Sequence, residues 1–387
     1  MLRFILSMMV ARTAINLLRR FSYPFIPQIS TQLQVSETTI QSIVGLGSGF
    51  GIGAPLYRAI VHPFPSRLTL LGVFVVGMTA SFGAAIHPRL WTYTLLIIVS
   101  GLIKSVFDPI VQSLVASKIP YQQRGFAVGL IEMSWSLALI ISSVVGAWVL
   151  RWAGLSGLFA FLGTAFVVGS VLIWREVPAD AHPNPTDPTA KPSSPAHWMR
   201  DPRLILSAVI TGLYSFAGEI TLINYSPWLN DRFGGWLGII VVTTVVIAVA
   251  EALGELLVAF GSDRVGIRLF VNVCYLGTIA GYLLLPFSTF ALWGVILVLG
   301  GMFIFIEGAV VGGLAFMTEV APNIRIQLLS ATYSASQIGH MLGAVMGAFL
   351  YQWLGFHMTA LVSVTLVVGA YGCLLALYRL APPTVKA

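Results

Sequence analysis

Charge is what this chain is short of. Asp, Glu, Lys and Arg make up 9% of its 387 residues, where a soluble globular chain carries about a quarter. A soluble domain is excluded on that ground. Cysteine is nearly absent: Cys274 and Cys373 both lie in apolar stretches, which leaves no disulfide framework and no zinc spacing. There is no nucleophile elbow, phosphate loop or metal-ligand cluster, so enzyme and ATP-driven readings have nothing to stand on and no cofactor is expected. The longest polar stretch is about 27 residues, too short for a soluble sensor domain. Basic soluble elements of the kind that bind nucleic acid are missing too.

What is present is apolar sequence in long runs. The chain is 57% hydrophobic with a mean hydropathy of +0.89, and it divides into twelve segments near the 20 residues that cross a bilayer. They run roughly over 4–28, 38–60, 68–87, 91–116, 125–150, 154–174, 204–229, 236–260, 269–286, 290–316, 327–351 and 355–379. The N-terminus has one early basic residue, an apolar stretch broken by Arg12 and no cleavage site, and reads as a retained helix rather than a signal peptide.

Between the sixth and seventh segments lies EVPADAHPNPTDPTAKPSSPAHWMRDP, a Pro-rich polar stretch without apolar periodicity. It divides the chain into 1–175, a linker over 176–203, and 204–387. The halves repeat. Arg3 to Ser7 matches Arg203 to Ser207, and the same offset of 200 residues aligns Pro27 with Pro227 and Arg19 with Glu219. Arg67 matches Arg268 one residue further on, and from Arg124 and Arg325 the same 22-residue step reaches Gly146 and Gly347. Several weak matches in register predict two six-helix halves. Counting both termini and the even-to-odd connections with their flanking segment ends, fourteen Lys and Arg residues fall on the side of the termini and the linker and three (Arg89, Arg151, Arg232) on the other. The positive-inside rule then puts both termini in the cytoplasm.

Twelve helices in two repeated halves resemble the major facilitator superfamily. The connection after the eighth segment carries the likeness: Gly254-Glu255 leads to Gly261-Ser-Asp263-Arg264-Val-Gly266-Ile-Arg268, similar to the family's cytoplasmic D-R-x-G-x-R latch. The first-half turn, Tyr57 to Arg67, has lost the aspartate and both glycines, and His62 stands at the acidic position. Asp108-Pro109 through Arg124-Gly125 to Glu132-Met-Ser-Trp135 is similar to the fourth and fifth helices of bacterial efflux-type permeases. The glycine-and-proline motif of drug antiporters is replaced by Ile141 to Gly146. The resemblance implies an all-α membrane protein of two pseudo-twofold-related six-helix bundles in the cell membrane. It implies a secondary transporter working by alternating access, with proton-coupled efflux of a small organic solute or amphiphile as the leading expectation. Uptake or uniport of an anionic solute is the alternative, and a non-transporting sensor a distant one. The expected partners are the substrate, protons and the bilayer, for a monomer.

Ionisable residues inside membrane segments are functional candidates by default, usually paired. Arg19, Lys104, Glu219 and Glu307 lie within about five residues of their segment centres, in segments one, four, seven and ten, which line the central cavity in the resembled family. The expectation is Arg19 facing Glu219, Lys104 near Glu307, and one carboxylate exchanging a proton as substrate leaves; a fixed ion pair is the bland alternative. Arg12, Asp108 and Glu132 lie nearer the cytoplasmic side and read as a structural charge network, while Lys104 and Asp108, one turn apart, are also able to pair. Asn16, Arg20, Gln112, Tyr214, Asn224, Tyr225, Tyr333, Gln337 and His340 complete the polar lining; an intramembrane His is more often a packing residue. Glu255, Asp263, Arg264, Gly266 and Arg268, with Arg67 and Arg124, are the cytoplasmic gate that the resemblance implies. Two glycine ladders, Gly45-Gly49-Gly53 and Gly339-Gly343-Gly347, permit close helix approach; they are expected where the halves rock on each other, with ordinary tight packing as the alternative.

Overall fold

A computed structural model describes residues 1–53, 64–179, 200–321 and 324–380. His62 and most of the linker lie outside these, as do the side chains of Arg124 and Asp263. Every described element is helical: α1 (Leu2–Arg20), α2 (Ile26–Leu33), α3 (Glu37–Gly51), α4 (Ser66–Ile86), α5 (Leu90–Lys118), α6 (Tyr121–Glu132), α7 (Ser134–Glu176), α8 (Pro202–Phe233), α9 (Leu237–Val265), α10 (Ile267–Leu284), α11 (Leu292–Val320) and α12 (Arg325–Leu380). Short 3-10 turns join α1 to α2 and α10 to α11. Helices are what a bilayer demands, since each satisfies its own backbone groups where no water is available.

Eight helical runs among the described residues are long and apolar enough to cross a membrane. Two of these, Ala127–Glu176 and Gln327–Leu380, are twice the length of a span, and each is broken by one glycine with left-handed φ, Gly154 (φ 60°) and Gly355 (φ 73°). An L side chain is strained there, so a glycine is what turns one apolar run into two crossings. The eight thus become ten. The remaining two are α1 with α2, where Arg12, Arg19 and Arg20 dilute the hydropathy, and α3, which runs up to residues outside the described set.

The chain separates into two compact units, Met1–Ala190 and Lys191–Ala387. In the first, α4 packs on the second half of α7 by setting rings into glycine gaps. A side chain at Gly169 would collide with Phe74, and one at Gly77 with Phe166. The two rings themselves meet edge to face at 5.3 Å. The second unit is built round tyrosines: Tyr214 lies 4.8 Å from Tyr275, which stacks on Tyr371 at 5.6 Å. Hydroxyls buried in both units are largely satisfied by the carbonyl one turn back, as with Thr13 on Met9 and Thr244 on Ile240, so they cost little in an apolar setting. Trp148, Trp152, Trp293 and Trp353 are exposed, the arrangement of rings that face lipid or its interface.

Candidate functional site

In the first unit α1 turns one polar face inward. Arg12, Asn16, Arg19 and Arg20 recur at steps of four, three and one residue, and all four are buried. Arg12 sits between two carboxylates, with Nε 3.0 Å from Asp108 Oδ1 and Nη1 2.6 Å from Glu132 Oε2. The second oxygen of Asp108 takes Lys104 Nζ at 3.0 Å. Lys104 also donates to Asn16 Oδ1 at 2.9 Å, and Asn16 donates to Ser134 Oγ at 3.0 Å. One continuous network therefore ties α1, α5, α6 and α7. Lys104, placed by depth among the transport residues, sits in the same network as Arg12 and Asp108.

Arg19 and Arg20 lie beyond it. Arg19 donates from Nη2 to Ser48 Oγ on α3. Arg20, fully buried, donates from Nη1 to the Trp135 carbonyl at 3.2 Å, and its Cζ stands 4.2 Å from the Trp135 ring centre. Lys104 Nζ is 5.3 Å from that ring, so Trp135 meets two cations by its π-system. Ser48, Ser134 and Trp135 are site residues that sequence reasoning missed. Ser48 stood in the ladder around Gly49, and nothing in the spacing of Trp135 distinguished it from a lipid-facing ring. Gln112 is exposed on α5.

The second unit is built on the opposite charge. Between the ends of its apolar segments stand Glu219, Glu251, Glu255 and Glu307, and no Lys or Arg. Glu219 on α8 has a side chain 1% exposed, and its Oε2 lies 2.8 Å from Nδ1 of His340 on α12. His340 is partly open, at 31%. Tyr333 and Gln337 are half-buried and share the His340 face of α12 by spacing. Asn224 donates to the Ile220 and Gly347 carbonyls at 2.8 and 2.9 Å, Tyr225 meets Thr244 at 2.7 Å and Tyr214 meets Thr278 at 2.8 Å. Glu307 packs its Cβ against Gly254 of α9, where a side chain would come within 2.9 Å.

The ladder Gly339-Gly343-Gly347 is committed within this unit. A Cβ at Gly339 would collide with the Gly212 carbonyl, one at Gly343 would stand 2.6 Å from Glu219 Cβ, and one at Gly347 would stand 3.1 Å from Ile220 Cα. Of the two expectations for these glycines, tight packing is the one these contacts bear out. The glycines serve tight packing of α12 on α8, and Gly343 is what lets the backbone carrying His340 come down onto Glu219.

Of the expected gate, Gly266 caps α10 with φ 81° and Arg264 is exposed. Arg268 lies over two rings, Cζ 5.1 Å from Tyr378 and 5.6 Å from Phe316. Its repeat counterpart Arg67 lies 3.8 Å over Trp174. The third helix of each unit thus begins with an arginine stacked on an aromatic near the end of the sixth. Glu255 is half-buried on α9.

A family description for the Major Facilitator Superfamily matches residues 5–309. The chain belongs to that superfamily. It is an all-helical, multi-pass membrane transporter and not an enzyme. Among superfamily relatives, the uncharacterized MFS-type transporter YtbD of Bacillus subtilis is 21% identical over 95% of this chain and 93% of its own. Multidrug resistance protein MdtG of Salmonella arizonae is 24% identical over 86% and 85%. The alignment with YwfA of Bacillus subtilis reaches 28% identity but spans only 33% of this chain and about a third (32%) of YwfA. A crystal structure of a D-xylose-proton symporter superposes with a TM-score of 0.78, 15% identity and coverage of 99% and 98%, which shows the superfamily fold.

Proposed function

We propose that this transporter exports a small organic solute or amphiphile in exchange for protons. The Glu219–His340 pair is its coupling element, both termini are cytoplasmic, and it works as a monomer in the cell membrane. The contact at 2.8 Å between a fully buried carboxylate and a partly open imidazole carries the reading. Imidazole is the side chain that ordinarily changes charge between pH 5 and 8, and its open edge gives protons a route to a carboxylate that has none of its own. The likeness to MdtG, named a multidrug resistance protein, supports export of amphiphiles. The fourteen-to-three bias of basic residues supports cytoplasmic termini.

The test is proton movement in proteoliposomes carrying pyranine, screened over sugars, cationic dyes and lysophospholipids. For the compound that moves protons with the wild type, Glu219→Gln is expected to cut pH-gradient-driven flux at least tenfold and to leave exchange without a gradient. Gradient dependence unchanged in both Glu219→Gln and Glu307→Gln overturns the coupling role of each.

A further inference from the structure

We propose that Arg19 is an oxyanion-binding residue and that the solute carried is an organic anion with a carboxylate or phosphate-type head. This deepens the export reading above and rests on it. The argument begins with charge. In the interior of the apolar segments of the first unit stand the cations Arg12, Arg19, Arg20 and Lys104 and the carboxylates Asp108 and Glu132. The geometry spends both carboxylates on the same side of the site. Asp108 divides its oxygens between Arg12 and Lys104, and Glu132 closes on Arg12 at 2.6 Å. Neither carboxylate is held by Arg19, and a cation without a counter-charge is disfavoured in a membrane bundle.

Arg19 is the cation that the two carboxylates leave out. It is 7% exposed, and among the described residues the partner of its guanidinium is the neutral hydroxyl of Ser48. Next to Ser48 the chain has Gly47, whose missing Cβ would come within 3.2 Å of Arg19 Nη1 and 2.6 Å of Ile97. The glycine leaves the guanidinium its place between α1 and α3. A hydroxyl orients one edge of the fork without neutralising it. A planar fork held by a neutral group suits two parallel hydrogen bonds to a carboxylate or phosphate. An anionic head arriving there supplies the charge that the two carboxylates withhold. A cationic drug gains nothing from this wall.

Equilibrium binding to the purified protein in phosphatidylcholine nanodiscs tests it. Because no gradient is applied, failure of proton coupling leaves this measurement untouched. The probes are benzoate and phenylphosphonate, with benzyltrimethylammonium as the cation of similar size and lysophosphatidylglycerol as the lipid-borne anion. The wild type is expected to bind the two aryl anions at least tenfold more tightly than the cation, and Arg19→Gln to abolish the preference. Arg19→Lys keeps the charge but not the fork, and should weaken phenylphosphonate at least threefold; it carries the test if Arg19→Gln does not fold. Tight binding in the lysophosphatidylglycerol arm alone, lost in Arg19→Gln, supports the same site with the bilayer as the source of the anion. Equal binding of benzoate and benzyltrimethylammonium by the wild type, with lysophosphatidylglycerol binding also unaltered by Arg19→Gln, overturns the proposal.

Discussion

Asp108→Asn should unfold the first unit at a temperature on the order of 10 °C below the wild type, read by thermal unfolding in detergent. The carboxylate stands 3.0 Å from both Arg12 and Lys104, and an amide keeps the shape while removing the charge. Arg12 then retains Glu132, but Lys104 is left with the Asn16 oxygen and the Trp135 ring. Breaking one partner of a buried ion pair costs about 3–5 kcal/mol, mostly because a charge is stranded. Each 1 kcal/mol is worth roughly 2–4 °C in a domain of this size. Adding Lys104→Met removes the stranded charge and should recover more than half of the loss. A midpoint for Asp108→Asn within 2 °C of the wild type would falsify the network as a stabilising element.

The fold was legible in the sequence because a bilayer imposes one rule on every segment. Twenty apolar residues, a polar linker, matched offsets such as Arg3 with Arg203, and scarce charge are all properties of single stretches, and membership of the superfamily agrees with them. The breaks in α7 and α12 are a different matter: Gly154 and Gly355 are two glycines among 38, and their left-handed φ is set by tertiary packing. The site was less legible for a related reason. Segment depth grouped Arg12 with Asp108 and Glu132, because depth is one-dimensional and can be counted along the chain. Which polar residue meets which across 121 positions, as His340 meets Glu219, depends on helix rotation, and the hydropathy of these nearly uniformly apolar helices records rotation poorly. His340 accordingly read as a contact or packing residue, not as the companion of Glu219. The second glycine ladder is the same case: its spacing marks a face for close approach but not the helix that the face meets.

Gly343→Ala should therefore disable coupling although it touches neither Glu219 nor His340 chemically. Gly343 lies three residues past His340, on the face of α12 that meets α8. An added methyl would stand 2.6 Å from Glu219 Cβ and 2.7 Å from the Phe216 carbonyl oxygen, and a backbone carbonyl cannot step aside as a flexible side chain can. Overpacking of this kind costs about 1–3 kcal/mol. The relief open to it is to lift α12 from α8, which lengthens the 2.8 Å contact. An imidazole–carboxylate hydrogen bond weakens steeply past about 3.2 Å. The expected outcome is a folded protein, unfolding a few degrees below the wild type, that loses gradient-driven flux at least tenfold. Gly372, where an added methyl meets open space, supplies the control: Gly372→Ala should leave flux and unfolding temperature within error of the wild type. If Gly343→Ala keeps full gradient-driven flux, the close approach of α12 to α8 has no bearing on coupling, and the pair at its centre is a packing contact.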